Sequence, residues 1–392
     1  MTVYTPSTLI NMVIAIVRAS PQALSPDKLP LLLVFWSGRG GGKTTLLHRL
    51  QDRLADIADV WLAGLWDVHT GSWKDLASQI LDVFQQAPDG RHKLLLLDNL
   101  DALLRADGGE PFFAFEHQVL RELVGRGDTL VIATSRAPLI QWREYDIRIA
   151  VQNHHIPPLS REEVADWARA RGLDPERAFA LSLGHPQVLA WLEEQPDLPP
   201  EEIDRRVAAL FLEGLPEKTR QMAEVVSLFP AFDLAVLRPL LSGEEDTESF
   251  YGEYTERLEE LMGAGLVAWD GEVGAYRFRE GTVRRLLARG LRRRDPGRFS
   301  HIHRVAADYY RQEAMRATYL HRTLLSALYH TAWANSGEAC VRWVEDTLGM
   351  WMSAPWEKVL IAWQTGAGDE ATREELRELI GPDAFERITR LL

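Results

Sequence analysis

The sequence predicts an α/β protein: a parallel sheet comes first, and a small helical domain, a winged-helix domain and an all-helical, repeat-like domain follow it. Short apolar runs alternate with helical patterns over the first 155 residues, which is typical of a parallel sheet with helices on both faces. A length of 392 residues is enough for roughly two to four domains. The predicted segments are an N-terminal helix and linker (1–30), the sheet domain (31–155), the small helical domain (156–212), the winged-helix domain (213–300) and a TPR-like helical domain (301–392).

A glycine-rich loop follows the first predicted strand, Leu31–Trp36, and leads into a helix. Glycine amides can close on an anion, a lysine supplies positive charge for the β and γ phosphates, and a hydroxyl can bind Mg²⁺. Ser37 replaces the first glycine of the pattern G-x-x-x-x-G-K-[ST], and serine is small enough for that turn. We therefore predict a P-loop NTPase sheet in which the phosphates are bound by Gly38, Gly40, Gly41, Gly42, Lys43, Thr44 and Thr45.

The segment RHKLLLLDNLDAL contains a second buried strand, which ends at Asp98 on the ligand-binding edge of the sheet. We expect Asp98 and Thr44 to hold Mg²⁺. Asn99 stands where many fast ATPases have the glutamate that activates water, and an amide cannot accept that proton. Asp101 is the nearest acid that could replace it, so we expect slow hydrolysis.

Another strand ends in a Thr-Ser-Arg segment, Thr134 to Arg136. Hydroxyls and a guanidinium at the tip of a strand can detect a γ phosphate. We therefore predict that Arg136 acts in catalysis together with Asp98 and Asp101. The alternative is an arginine that only caps the edge of the sheet.

The other strands of the sheet domain are predicted at Val60–Trp66, Leu94–Asp98, Thr129–Ala133 and Asp146–Val151. Two of its helices are predicted at Trp73–Phe84 and Phe115–Val124. Ser160 and Glu163 then form a capping-box pattern that starts a helix. Gly184, His185 and Pro186 open another helix. Such a group is usually structural, but it can also lie flat against an adenine.

Residues 215–285 have the order of a winged helix. Three helices are predicted at Pro216–Phe229, Leu234–Leu241 and Thr247–Met262, and a hairpin with an Asp-Gly turn follows them. The third helix is strongly acidic, so nucleic-acid phosphates would repel it, and we interpret the module as a packing domain. The segment Arg284–Arg304 contains eight arginines; a solvated helical face and a surface for an anionic partner or nucleic acid are the two alternatives.

The formal net charge of −13 argues against broad, nonspecific binding of nucleic acid. The single cysteine, Cys340, fits a buried position in a reducing compartment. The apolar run Leu9–Val17 is too short to span a membrane and lacks the flanks of a signal peptide. We therefore expect an amphipathic first helix, a cytoplasmic protein and no membrane partner.

The glycine loop, DNLD, TSR, GHP and the winged-helix pattern occur in this order, and the sequence thereby resembles the STAND class of signal-transduction ATPases, which includes the NB-ARC and NACHT proteins. The resemblance covers roughly residues 30–300. It implies that Asp98 binds the metal, that Arg136 contacts the γ phosphate and that Pro186 lines the adenine pocket. Asp101 matches the second acid of the NACHT version.

Family members often end the strand after the wing in Met-His-Asp, whose histidine touches ADP. Phe278, Arg279 and Glu280 occupy the corresponding positions here. The resemblance therefore implies that Arg279 contacts ADP, although this segment departs from the family pattern.

A STAND-type chain is expected to be an ATP-dependent molecular switch that uses ATP or ADP with Mg²⁺. ADP would lock the winged helix onto the nucleotide domain, and ATP would favour an open form that oligomerises or activates a partner. No recognisable effector domain precedes the predicted sheet and the helical C-terminal part is short, so we expect either an effector or sensor protein in trans or a reduced switch. Signalling, antiviral defence and transcriptional regulation are the settings typical of the class.

Two other functions fit the same motifs. The first is an AAA+-type, DNA-associated ATPase that grips DNA with the winged helix and the arginine-rich segment. The second is a nucleotide-binding scaffold without catalysis, which Asn99 would permit.

Overall fold

The computed structural model describes residues 6–18, 32–64, 72–86, 92–126, 129–241, 247–316, 320–351, 363 and 370–392. Residue 31, the linker 19–30 and the predicted strand end at 65–66 lie outside these ranges. The chain forms two compact units, Met1–Leu198 and Pro199–Leu392. The predicted small helical domain (156–212) is thus divided between the units, and the finer division into five domains stays a prediction.

A parallel five-stranded sheet forms the framework of the first unit, with the strand order β2-β3-β4-β1-β5. Its strands are β1 (Leu32–Trp36), β2 (Ala58–Gly64), β3 (His92–Asp98), β4 (Thr129–Ser135) and β5 (Val151–His155). Because β4 lies between β1 and β3, the carboxyl ends of these three strands meet at one edge. The α/β prediction is confirmed, and the sheet with its glycine loop has the P-loop NTPase fold.

Ten helices are described in this unit: α1 (Pro6–Arg18), α2 (Lys43–Leu54), α3 (Ser72–Gln86), α4 (Asp101–Arg105), α5 (Glu110–Phe115), α6 (Arg121–Arg126), α7 (Tyr145–Ala150), α8 (Arg161–Arg169), α9 (Pro175–Ser182) and α10 (Pro186–Glu194). A π-helical turn joins α5 to α6. The capping box is confirmed, since Glu163 N–H donates to Ser160 Oγ over 3.2 Å and Ser160 N–H donates to Glu163 Oε2 over 2.9 Å.

The sheet is covered by apolar side chains on both faces. Leu95 and Leu97 of β3 belong to one buried cluster. Leu94 and Leu96 belong to another, which also contains three side chains of α1 spaced four residues apart, Leu9, Val13 and Val17. Strands buried on both faces need continuous apolar runs, which is why β3 could be predicted from four consecutive leucines. The amphipathic first helix is confirmed.

The fifth strand lies further along the chain than predicted. Asp146–Val151 was expected to be a strand, but Tyr145–Ala150 forms helix α7 and β5 begins at Val151. Ile147 and Ala150 are buried three residues apart, as on one face of a helix, while Ile149 is 56% exposed. β5 is an edge strand of mostly polar residues paired with β1 alone, so no apolar run marked it.

The second unit is helical except for one hairpin. Its elements are α11 (Pro200–Leu212), α12 (Glu217–Val226), α13 (Leu234–Leu241), α14 (Thr247–Gly263), β6 (Val267–Asp270), β7 (Ala275–Phe278), α15 (Gly281–Arg294), α16 (Pro296–Met315), α17 (Leu320–Ala334), α18 (Gly337–Trp351), α19 (Glu370–Ile380) and α20 (Pro382–Leu391). An antiparallel bridge links Phe232 to the hairpin residue Tyr276. Helices α12 to α14 and the hairpin follow the order of a winged helix, but that assignment stays a prediction, as does the TPR-like one.

The predicted domain border at residue 300 falls inside α16, because Asp295 caps this helix and Pro296 begins it. Cys340 is buried in the apolar cluster of the C-terminal helices, as predicted. Among the described residues, no helix is both long and apolar enough to cross a bilayer.

Candidate nucleotide-binding site

The glycine loop connects β1 to α2. Gly40 and Gly42 have φ values of 68° and 84°, in the left-handed region that favours glycine. Gly42 is the N-cap of α2, and no side chain caps this helix end. The first amides of α2 are therefore directed towards the loop, where an anion could accept hydrogen bonds from them.

Ser37, which replaces the usual first glycine, is buried at the base of the loop. Its Oγ has no hydrogen-bond partner among the described residues. A Cβ on Gly41 would lie 2.7 Å from the Ser37 Cβ and closer still to its Oγ. Since the φ of Gly41 is not left-handed, the side chain of Ser37, and not the backbone conformation, requires glycine there.

Lys43 folds back over the loop. Its Nζ donates to the carbonyl oxygen of Ser37 over 2.8 Å and to that of Gly38 over 2.6 Å. The ammonium group is therefore held against the backbone of the loop, beside the amides that are predicted to bind phosphate. Thr45 is exposed on the first turn of α2.

Asp98 joins the glycine loop to the neighbouring strands. Thr44 Oγ1 donates to Asp98 Oδ2 over 2.7 Å, across 54 positions of sequence. Thr134 Oγ1 makes a short hydrogen bond to Asp98 Oδ1. The strand order explains this, because β4 places Thr134 between β3 and the loop. The two residues predicted to bind the metal are in direct contact.

The chemistry of this pair fits Mg²⁺. A threonine hydroxyl and a carboxylate are hard oxygen ligands, and Mg²⁺ is usually bound by one or two carboxylates together with substrate phosphates. In the part of the chain that the structure describes, no three His, Cys, Asp or Glu residues form a metal cluster. Thr44 and Asp98 could hold the ion only with oxygen atoms from a ligand or water.

The residues after Asp98 are buried and tightly positioned. Asn99 has a φ of 66°, a conformation that asparagine tolerates better than most residues, and its N–H donates to Thr134 Oγ1 over 2.8 Å. Asp101 Oδ2 accepts a short hydrogen bond from Arg105. Asp101 Oδ1 is buried without a partner among the described residues, so this carboxylate keeps one acceptor unused.

Arg136 lies in a cluster of cations. Burial lowers its pKa, and the neighbouring charges of Arg105 and Arg39 lower it further, whereas Asp101 raises it. Three guanidiniums and one carboxylate thus act on each other beside the loop. Guanidiniums at this place are suited to a phosphate group. Arg136 is half-buried, and its role in detecting a γ phosphate stays a prediction.

The Gly-His-Pro group packs directly on the loop. Gln187 N–H donates to Gly40 O over 3.2 Å, and a Cβ on Gly40 would lie 2.6 Å from that of Gln187. A Cβ on Gly42 would lie 3.5 Å from Pro186 Cγ. Burial lowers the pKa of His185 to about 4, so its ring is neutral at pH 7. Pro186 therefore lies beside the loop residues that are predicted to bind phosphate.

Arg279 is the one predicted binding residue that belongs to the second unit. The backbone N–H of Arg279 donates to Leu266 O over 2.9 Å. The Nε of its side chain is buried without a partner among the described residues. Burial lowers its pKa. Its contact with ADP stays a prediction.

Several residues of this site were not predicted from the sequence as site residues. Ser37 and Gln187 shape the loop by packing, which has no sequence signal. Arg39 stands within the glycine cluster and Arg105 stands four residues after Asp101. That spacing is typical of ion pairs on a helix and could have identified Arg105.

No family model matches the sequence, and no curated protein matches it. Among solved structures, the chain is similar to the RuvB Holliday junction branch migration motor of Thermotoga maritima, with 17% identity and a TM-score of 0.35 over 71% of this chain and 93% of that one. It is also similar to a replication initiator DnaA bound to AMPPCP and single-stranded DNA, with 15% identity and a TM-score of 0.38 over 81% and 95% of the two chains. A DNA replication initiation factor matches with 15% identity and a TM-score of 0.31 over 83% and 97%. At such low identities and TM-scores, these similarities identify neither a family nor an activity.

Proposed function

We propose that this chain binds ATP and ADP, hydrolyses ATP slowly and works as a STAND-type molecular switch. One observation carries the proposal: Thr44 Oγ1 lies 2.7 Å from Asp98 Oδ2, at the start of the helix that follows the glycine loop. A lysine, a hydroxyl and a carboxylate beside a glycine loop are the groups that bind a nucleoside triphosphate with Mg²⁺. Mg²⁺, when bound, would neutralise phosphate charge.

The residues of the site then have separate tasks. The amides of the loop and of α2 bind the phosphates, and Lys43 faces the β and γ positions. Arg136 detects the γ phosphate, because it is half-buried near the loop and the neighbouring guanidiniums of Arg105 and Arg39 add positive charge there. Pro186, beside Gly42, lies against the adenine.

Slow hydrolysis follows from the groups after Asp98. The amide of Asn99 cannot accept a proton from water. Asp101 is the remaining candidate for the base, and one of its oxygens already accepts from Arg105. Without a glutamate at position 99 to accept the proton from water, turnover is slow and the bound nucleotide persists.

A switch needs energy that differs between the two nucleotides. To convert a protein almost completely from one of two states to the other, a ligand must bind the favoured state about 5.5 kcal/mol more tightly. Contacts of Lys43 and Arg136 with a γ phosphate, at about 1.5–3 kcal/mol each, supply much of this. The remainder would come from a homo-oligomer or from an effector or sensor protein in trans, in a signalling, defence or regulatory setting.

The first test identifies the nucleotide that copurifies with the chain and measures the affinities for ATP and ADP by calorimetry. We expect bound ADP in the wild-type protein and a loss of at least about tenfold in affinity for Lys43→Ala. Lys74→Ala is the matched control, because Lys74 is exposed on α3. If neither nucleotide binds, the proposal is wrong.

A second test separates γ-phosphate detection from binding in general. Arg136→Gln should weaken ATP binding by about tenfold while ADP binding changes little. Arg148→Gln, on the exposed side of α7, serves as the control.

Size-exclusion runs with ADP and with ATP then test the switch, and an unchanged elution position with both nucleotides would contradict it.

The DNA-associated alternative depends on the arginine-rich segment Arg284–Arg304, and half of the eight arginines of this segment form ion pairs. Arg284 pairs with Glu375, Arg289 and Arg293 pair with Asp204, and Arg294 pairs with Glu224. A salt-dependent gel shift that is lost in the Arg292→Glu, Arg293→Glu, Arg294→Glu variant would favour this alternative. Bound nucleotide without any phosphate release would favour the scaffold.

A further inference from the structure

The second unit contains a cavity of about 190 Å³. It is bordered by helices α15, α16, α17 and α19, and its lining residues include Arg285, Arg289, Arg292, Phe299, Trp333 and Glu375. Cavities for drug-sized ligands measure roughly 300–1,000 Å³. The size therefore favours a smaller organic ligand.

Three arginines face this cavity from one side of α15. Arg285, Arg289 and Arg292 are spaced four and three residues apart, so they share a face of the helix. Arg289 pairs with Asp204. Within the described part of the chain, neither Arg285 nor Arg292 forms an ion pair, and Arg292 is exposed, so both guanidiniums are accessible to an anion at the cavity.

The carboxylate of Glu375 does not compensate them. Its oxygens accept from the buried side chain of Arg284 and, over 2.8 Å, from Tyr329 Oη. The ring of His303 is neutral as well, because burial and the charges of Arg284 and Arg292 lower its pKa to about 3. The lining thus offers donors that still need an acceptor.

Aromatic rings also line the cavity, next to Arg292. Phe299 and Trp333 meet edge to face, with ring centroids 5.3 Å apart. The guanidinium of Arg292 lies 4.9 Å from the centroid of Trp333. Trp333 Nε1 is a buried donor without an acceptor among the residues described here. Flat apolar surface therefore lies next to unused donors.

We propose that this cavity is a binding site for a small planar anion, a carboxylate carried on an aromatic ring. The carboxylate would accept from Arg285 and Arg292 in the paired geometry that guanidiniums favour. The ring would pack on Phe299 and Trp333. The site lies wholly within the second unit and does not depend on the proposed nucleotide site.

Benzoate is a suitable probe, with acetate, inorganic phosphate and benzyl alcohol as comparisons that lack the ring or the carboxylate. We expect calorimetry on the full chain without added nucleotide to detect benzoate binding at millimolar concentration or below. Each comparison should bind at least about tenfold more weakly, because acetate and phosphate lose the apolar contact of the ring and benzyl alcohol loses a charge-assisted contact.

Variants then locate the site. Arg285→Gln and Arg292→Gln should each weaken benzoate binding about tenfold, and Trp333→Phe, which keeps a ring but removes the N–H donor, should weaken it less. Arg304→Gln is the matched control, because Arg304 is exposed in the same segment. Lys43→Ala should bind benzoate normally, which separates this site from the nucleotide site.

Absence of benzoate binding to the wild-type chain would overturn the proposal. Equal binding of acetate or phosphate would also overturn it, since the aromatic wall would then have no role. The proposal would also be overturned if Arg285→Gln and Arg292→Gln both bound benzoate as tightly as the wild type. This comparison uses variants whose circular dichroism and unfolding midpoints match those of the wild type.

Discussion

At the scale of single residues, Ser37 and Gly41 behave as one feature of the phosphate loop. Ser37 fills the space that a side chain at position 41 would need, and its hydroxyl is buried without a partner among the described residues. The loop therefore tolerates serine in place of the usual glycine only because a glycine stands opposite. This makes the two positions dependent on each other.

We expect Gly41→Ala to lower nucleotide affinity by about fivefold or more, because an extra methyl group in a packed site costs about 1–3 kcal/mol. The double variant Ser37→Gly, Gly41→Ala should recover most of the loss, since removing the serine side chain frees the space. Calorimetric titration with ATP and a double-mutant cycle measure this coupling.

Ser37→Gly alone is the control, and it should bind nucleotide as well as the wild type. A double variant as weak as Gly41→Ala would show that the two positions are independent.

At the scale of elements, the turn before α10 supports the glycine loop from outside. Gly184 has a φ of 79°, and a Cβ there would lie 3.0 Å from Leu159 N and well within contact distance of Leu159 O. Leu159 N–H donates to Gly184 O over 2.9 Å. Because the same turn carries Pro186 and Gln187 to the loop, its position affects the nucleotide.

Gly184→Ala should therefore lower both the unfolding midpoint and the nucleotide affinity. Gly172→Ala is a matched control, because Gly172 has a similar φ of 68° and open space around it. It should show only the conformational penalty of about 1 kcal/mol. Thermal unfolding and calorimetry measure the two effects, and equal behaviour of the variants would contradict the role of the turn.

Helix α19 is fixed to the second unit by a buried charge. Arg284 is buried and pairs with Glu375 of α19, and Tyr329 Oη donates to Glu375 as well. Burial opposes the charge of Arg284, but Tyr329 and Glu375 outweigh it and raise the pKa of this arginine. The pair therefore links α15, α17 and α19.

Glu375→Gln should destabilise the second unit by about 3 kcal/mol, since it leaves a buried guanidinium without its counter-ion. Glu374→Gln removes a neighbouring charge that is 64% exposed and lies 3.9 Å from Arg377, so it should change stability by less than about 0.5 kcal/mol. Urea unfolding followed by circular dichroism compares them, and a small effect at position 375 would show that the pair contributes little.

At the scale of the whole molecule, the sequence predicted those parts whose signal is local. β1, β3 and β4 were found because strands buried on both faces have apolar runs, and the glycine loop was found because phosphate binding requires a fixed spacing. β5 was missed because a polar edge strand resembles a loop. Gln187 packs on Gly40 although the two residues are far apart in sequence. A sequence pattern of neighbouring residues cannot predict such a contact.

Buried histidines should also make the whole molecule sensitive to acid. Burial lowers the pKa of His155 and of His185 to about 4, and that of His303 to about 3. In the unfolded chain these groups titrate near about 6.5. The unfolded state therefore binds more protons below that pH, and the free energy of unfolding decreases as the pH falls from about 6.5 towards about 4.

Each such histidine should contribute up to about 1.4 kcal/mol per pH unit within that window. His155→Phe removes one titrating group and keeps an aromatic ring in contact with Trp36, whose ring centroid lies 4.4 Å from that of His155. The unfolding free energy of this variant should therefore depend less on pH. His301→Gln, at an exposed position, should leave the dependence unchanged. Urea titrations between about pH 7 and about pH 5, above the range where most carboxylates titrate, measure the slope. A slope for His155→Phe equal to that of the wild type would mean that His155 takes up protons equally in the folded and the unfolded chain.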